Sequence, residues 1–244
     1  MDRKTSLLET CAALIRDPVG LGRDEPLRAL HDHGPVLLAI TVASAAVFGG
    51  VVGTYRGGVQ LLYAALKLPL LWVVPVLVTL PAVRALYRVC GVVVSYAQAS
   101  LAVLIGCARS ALLLAVASPA LWLMFSVEVD YHWAVLVLCG SLLGSGVVGL
   151  ATLARVLPGS GPGKMVGSAL AALAVGVVVA QSGWILRPFV ARPRADVAFL
   201  RPIESDVFSS TLASWRSARG NYEGWDARPE GLLAEPPEPS EARP

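Results

Sequence analysis

The chain has 244 residues, 55% of them apolar and only 15% charged, with a mean hydropathy of +0.65 and a formal net charge of +3. Soluble domains run near 45–50% apolar and roughly 25% charged. The excess of apolar residues excludes a soluble enzyme, a nucleic-acid binder and a secreted disulfide scaffold. It is concentrated in runs free of Asp, Glu, Lys, Arg and His: residues 34–55, 68–83, 89–108, 110–127, 133–154 and 165–186. A helix needs about 20 apolar residues to cross about 30 Å of hydrocarbon, so the reading is an all-α, polytopic transmembrane helical bundle.

Residues 1–34 read as a polar N-terminal tail. Within it Leu7, Leu8, Cys11, Leu14 and Ile15 recur at helical spacing until Pro18. This short amphipathic piece suits either the membrane surface or a cap on the bundle. A transmembrane domain follows over 35–189. The first span is about 35–55, with Ala45, Gly49 and Gly53 four apart, the spacing that lets helices approach closely in lipid. It would act as an uncleaved signal-anchor, because a long polar stretch precedes it.

The next stretch carries Lys67 and three prolines, Pro69, Pro75 and Pro81. It reads as an interfacial helix over 59–66 and a second span over 68–87. Proline removes a backbone donor, which membrane helices tolerate when neighbours satisfy the freed carbonyls. Residues 89–127 are interrupted only by Arg109. The polar start at Ser95, Gln98 and Ser100 favours one span over about 99–125 with Arg109 inside it; two short spans with Arg109 in a loop are the other reading. Glu128 and Asp130 make a turn. The fourth span is about 131–156, with Gly140/Gly144 and Ser145/Gly149 at four-residue spacing, and the Gly- and Pro-rich stretch 158–163 is a loop. The fifth span is about 166–186, with Ala172, Gly176 and Ala180 as its small stripe. Five spans are favoured and six stay open.

After the last span, 190–228 reads as a juxtamembrane segment with an amphipathic helix at about 205–219. Residues 229–244 hold five prolines and four glutamates, a composition that cannot bury a core and is expected to be disordered.

Motifs resembling known chemistry fail on inspection. The stretch 159–164 (GSGPGK) lacks the first Gly and the Ser or Thr of a phosphate-binding loop, because those positions hold Pro158 and Met165. Leu143-Gly144-Ser145-Gly146 resembles the serine motif of rhomboid intramembrane proteases, but Leu143 replaces its first Gly. No His follows His132 to act as base. His31-Asp32-His33 has no further ligand beside it, and the four cysteines show no ligand spacing. No catalytic residue, metal site or cofactor is expected. The ionisable residues Lys67 and Arg109, with Trp184, Arg187, Pro188, Phe189, Arg192 and Arg194 closing the last span, are the candidate lipid or partner contacts. Intramembrane charges default to functional roles, and basic juxtamembrane clusters hold lipid headgroups.

The stretches 63–71 (YAALKLPLL), Ser118-Pro119, Asp130-Tyr131 and 181–189 (QSGWILRPF) resemble a family of uncharacterised bacterial multispan membrane proteins with ALKxPLL and QMxWxLRPF stretches. Ser182 stands where that family has Met. The arrangement is more distantly similar to five-span Yip1-type proteins, which serve membrane traffic in eukaryotes. The resemblance covers about residues 45–202. It implies five spans, weight on Arg187, Pro188 and Phe189, and no catalytic residues.

The functional expectation is an integral protein of a bacterial inner (cytoplasmic) membrane with a cytoplasmic N-terminus. It would act as scaffold, assembly partner or lipid-organising component, not as an enzyme. Its partners would be the lipid bilayer and other membrane subunits or a second copy, with no nucleic acid. The alternative is an anion or lipid transporter or channel using Arg109 and Lys67.

Overall fold

The computed structural model describes residues 6–127 and 129–186, with Phe189, Phe199 and Trp215 beyond them. Among the described residues six α-helices form: α1 Leu7–Arg16, α2 Pro26–Thr54, α3 Val59–Val89, α4 Tyr96–Ser126, α5 Tyr131–Val156 and α6 Gly161–Leu186. Five of them, α2 to α6, are long and apolar enough to cross a membrane. The fold is an all-α helical bundle, and the chain reads as an integral membrane protein. Its connections are short, so the N-terminal end of α2, the α3–α4 turn and the α5–α6 turn share one face. The α2–α3 turn, the α4–α5 turn and the end of α6 share the other.

Residues 6–34 are not a loose tail. Ser6 and Glu9 cap α1 reciprocally: the Glu9 amide donates to Ser6 Oγ at 3.1 Å, and the Ser6 amide donates to Glu9 Oε2 at 3.2 Å. Leu14 is buried and packs in one cluster with Leu21, Leu37, Ile40, Ile105 and Ala108. The first span begins at Pro26, nine residues before the expected start. Glu25 accepts from the Leu27 and Arg28 amides, and Pro26 occupies the first turn, where its missing N–H costs nothing.

The interfacial helix expected over 59–66 and the span over 68–87 are one helix, α3, that runs through Pro69, Pro75 and Pro81. Six residues advance a helix by about 600°, so the three rings lie about 120° apart around the axis and their bends do not add in one direction. Arg109 likewise lies inside a single helix. Ser95 and Gln98 form a second capping box at the start of α4, where sequence reading heard only polarity. The loop expected over 158–163 ends earlier, because α6 starts at Gly161.

Helix α2 is central and packs against both α3 and α4; α3 carries α6, α4 carries α5, and α5 and α6 scarcely meet. Lipid supplies no hydrophobic force between helices, so close packing and interhelical hydrogen bonds must hold them. Gly49 and Gly53 provide the first contact: a Cβ on Gly49 would strike the carbonyl oxygen of Ala64, and one on Gly53 the Cα of Leu61. Gly106 and Gly149 do the same between α4 and α5. Tyr87 and Ser168 hydroxyls join α3 to α6 at 2.5 Å. The expected stripe of α6 is not its packing face. Gly167, Ala171 and Val175 are buried, while Gly176 has no atom near the position a Cβ would take.

Candidate functional site

The α4–α5 seam places Arg109. Gly106 opposes Gly149, and one turn further Ser110 Oγ donates to the Ser145 carbonyl at 2.8 Å. Ser145 Oγ in turn donates to Leu142 O at 3.1 Å, so this serine is occupied in packing. Small residues bring the backbones together, and Arg109, on the flank of the seam, lies half-buried against α5. Its Nη1 donates to Thr152 Oγ1 at 2.9 Å. Thr152 Oγ1 donates to Val148 O at 2.7 Å, which leaves its lone pairs to receive the guanidinium. Among the described residues the spanning helices hold one carboxylate, Asp32, exposed near the start of α2, and acids are absent between Asp32 and Glu128 and between Asp130 and Asp196.

A second polar locus lies on α3 near the opposite face. Gln60, Ala64, Lys67 and Leu71 are buried along one side of the helix. Gln60 Nε2 donates to Phe189 O at 2.6 Å, tying the chain beyond α6 back onto α3. Lys67 is fully buried and, among the described residues, its Nζ makes no hydrogen bond. The ammonium instead sits 4.8 Å from the centre of the Phe199 ring, which packs edge-on against Tyr63 at 5.2 Å. That is a cation–π contact in a desolvated setting. A snorkelling lysine would reach the aqueous interface; this one is covered by aromatic side chains.

Among the expected site residues, Lys67 and Phe189 are therefore brought to one locus and Arg109 to another. Trp184 is half-buried near the end of α6. Arg187, Pro188, Arg192 and Arg194 lie outside the described residues, as do the helix expected at 205–219 apart from Trp215 and the tail at 229–244. Thr152, Gln60 and Tyr87 were missed in the sequence. Thr152 is a polar residue within the run 133–154, Gln60 and Tyr87 lie outside the charge-free runs, and the partners of the three lie 43, 129 and 81 positions away.

A cleft of about 320 Å³ opens on the face where α2 begins, lined by Arg23, Asp24, Glu25 and Gln98 with Val156 and Pro158. It does not reach Arg109 or Lys67. His31 and Asp32 are exposed and 3.1 Å apart, and among the described residues no group of three metal-ligating side chains forms. Of the glycines around Lys164, Gly159 and Gly161 take positive φ at the turn into α6, and a Cβ on Gly163 in its first turn would strike the carbonyl of Cys90. No family model, curated protein or solved structure matches the chain.

Proposed function

We propose that the chain is a membrane-embedded scaffold or assembly subunit that works through helix–helix contacts and has no catalytic role. One observation carries this reading. Helices α5 and α6 expose most of their apolar surface, with only 11% of the apolar stretch of α6 buried. On that outer surface Gly140, Gly144 and Gly176 have no heavy atom within 4 Å of where a Cβ would lie. Around them Leu143, Val147, Leu173 and Val177 are exposed. The chain thus spends some small-residue pairs internally, at Gly49/Gly53 and Gly106/Gly149, and keeps others facing outward. Such spacing suits a helix from a second copy or another membrane subunit.

The same reading takes the membrane to be a bacterial cytoplasmic membrane and the N-terminus to be cytoplasmic. In sequence the side where α2 begins takes Arg16, Arg23, Arg28, Arg84, Arg88, Arg155 and Lys164, against Arg56, Lys67, Arg187, Arg192, Arg194 and Arg201 for the other, so the positive-inside bias leans toward that orientation by a single charge. The bilayer itself is the second partner, and a family relationship to the ALKxPLL proteins or to Yip1-type proteins belongs to the same proposal. The transport alternative has less support, because Arg109 on α4 contacts Thr152 on α5 while Lys67 on α3 contacts Phe199 beyond α6.

Reconstitution at a series of protein-to-lipid ratios with fluorescence energy transfer between labelled copies, beside gentle-detergent purification, tests the proposal. Dilution-dependent transfer, or a stoichiometric membrane partner, with either lost in Gly144→Ile and Gly176→Ile, is expected. A chain that stays monomeric and partner-free in both assays sinks it.

A further inference from the structure

We propose that Arg109 and Thr152 form a binding site for the phosphate of a membrane phospholipid, on the flank of the α4–α5 seam. The depth of Arg109 in the bilayer carries this assignment. Helix α4 has 31 residues, about 46 Å, and so overhangs a 30 Å hydrocarbon layer by roughly 8 Å at each end when centred. Arg109 lies 13 residues from Tyr96, which puts its Cα roughly 12 Å below the boundary on the α2-start face. At that depth a guanidinium meets no water and no carboxylate.

The side chain does not stay there. Gly106 and Gly149 set the antiparallel register. From that crossing Arg109 is three residues deeper along α4, and Thr152 is three residues nearer the α2-start face along α5. The hydrogen bond between them therefore spans roughly 9 Å of depth, about the reach of an extended arginine. The guanidinium is carried to within a few ångströms of the boundary, the level at which lipid phosphates begin. Thr152 holds it there, its own hydroxyl proton already given to Val148 O.

A guanidinium carries five N–H donors, and Arg109 makes one hydrogen bond among the described residues. The remaining fork matches a phosphodiester, which can accept two parallel bonds. A free phosphate ion has the same chemistry but would have to leave water to reach this groove. A lipid phosphate is already at that level, and its acyl chains take the apolar surface of α5 below. Above the groove, Gly22 of the turn after α1 packs against Val156 and Ile105, so the N-terminal segment closes the seam on its aqueous side. This site rests only on the membrane-spanning fold, and is independent of assembly through the outer faces of α5 and α6.

The test is native mass spectrometry of the full chain, delipidated in mild detergent and then titrated with phosphatidylglycerol, with diacylglycerol, or with inorganic phosphate. Retained phosphatidylglycerol is expected, without retained diacylglycerol, and millimolar inorganic phosphate should not displace it. Loss of the guanidinium in Arg109→Gln should lower occupancy about fivefold or more, and Thr152→Val about two- to threefold, because bidentate recognition goes with the fork and its support. Arg88→Gln, exposed at the end of α3, should leave occupancy unchanged. If Arg109→Gln does not fold, Arg109→Lys and Thr152→Val decide the matter, since each keeps the side-chain bulk. Wild-type occupancy in these variants overturns the site, and displacement by inorganic phosphate overturns its assignment to lipid.

Discussion

Gly106 and Gly149 face each other so closely that a Cβ on either would come within 3 Å of the other's carbonyl oxygen, at 2.8 and 2.9 Å. No rotamer relieves such a clash, because its partner is backbone. Overpacking a tight contact costs about 1–3 kcal/mol. Gly106→Val is therefore expected to lower the thermal midpoint clearly, while Gly140→Val, with open space around it, leaves the midpoint near wild type. Equal midpoints for the two would refute the packing of this seam.

Tyr87 and Ser168 hold α3 to α6 by one hydroxyl pair. Tyr87→Phe and Ser168→Ala should each destabilise modestly, and a double-mutant cycle should return a coupling of about 0.6–1.5 kcal/mol, the range found for hydrogen bonds between membrane helices. Simple additivity of the two would show that the bond does not form.

Lys67 is buried, and among the described residues its ammonium has no hydrogen bond and lies against the Phe199 ring. Leaving buried donors unsatisfied costs about 1–3 kcal/mol, and the cation–π contact returns about 0.5–2 kcal/mol. Lys67→Met keeps the length of the stem and removes the charge, so the midpoint should hold or rise. Phe199→Ala should make Lys67 reactive toward an impermeant amine reagent. A large fall in stability with Lys67→Met would mean the ammonium has a ligand.

Topology can be read by cysteine labelling in a background without the four native cysteines. Val93 and Ser160 are exposed in the turns on the α2-start face, and Val127 in a turn on the other. An impermeant thiol reagent applied to one side should label Val93→Cys and Ser160→Cys together and Val127→Cys oppositely. Ser110→Cys, buried within α4, should resist labelling from either side. Labelling of Ser110→Cys would split α4 into two spans.

Ser95 and Gln98 close the N-terminus of α4 by reciprocal bonds of 3.1 and 2.9 Å. Ser95→Ala should cost about 1 kcal/mol, the usual worth of such a cap. Faster amide exchange confined to the first turn of α4 is the accompanying signature. Exchange unchanged there would rule out the cap.

Charge-free length and hydropathy alone determined that this is a helical membrane protein, because a helix that satisfies its own backbone in lipid needs little beyond apolar length; between five spans and six, the unbroken α4 decided. The same text also marked Gly49, Gly53 and Gly149 as small-residue contacts. It misplaced the stripe of α6 by one position, since every side of that helix is apolar and no pattern distinguishes a face turned to protein from one turned to lipid. It divided α3 at Lys67 and its prolines, because a charge and three ring residues look like boundaries until one sees Phe199 over the ammonium and the rings distributed around the axis. Nor could it tell that residues before 35 pack on the bundle, where Leu14 meets Ile105 across ninety positions. The pairing of Arg109 with Thr152 belongs wholly to the tertiary structure. Local sequence sets helical length and polarity, but the register between α4 and α5 is set by backbone contact at Gly106 and Gly149, and only that register says where an arginine's far end will lie.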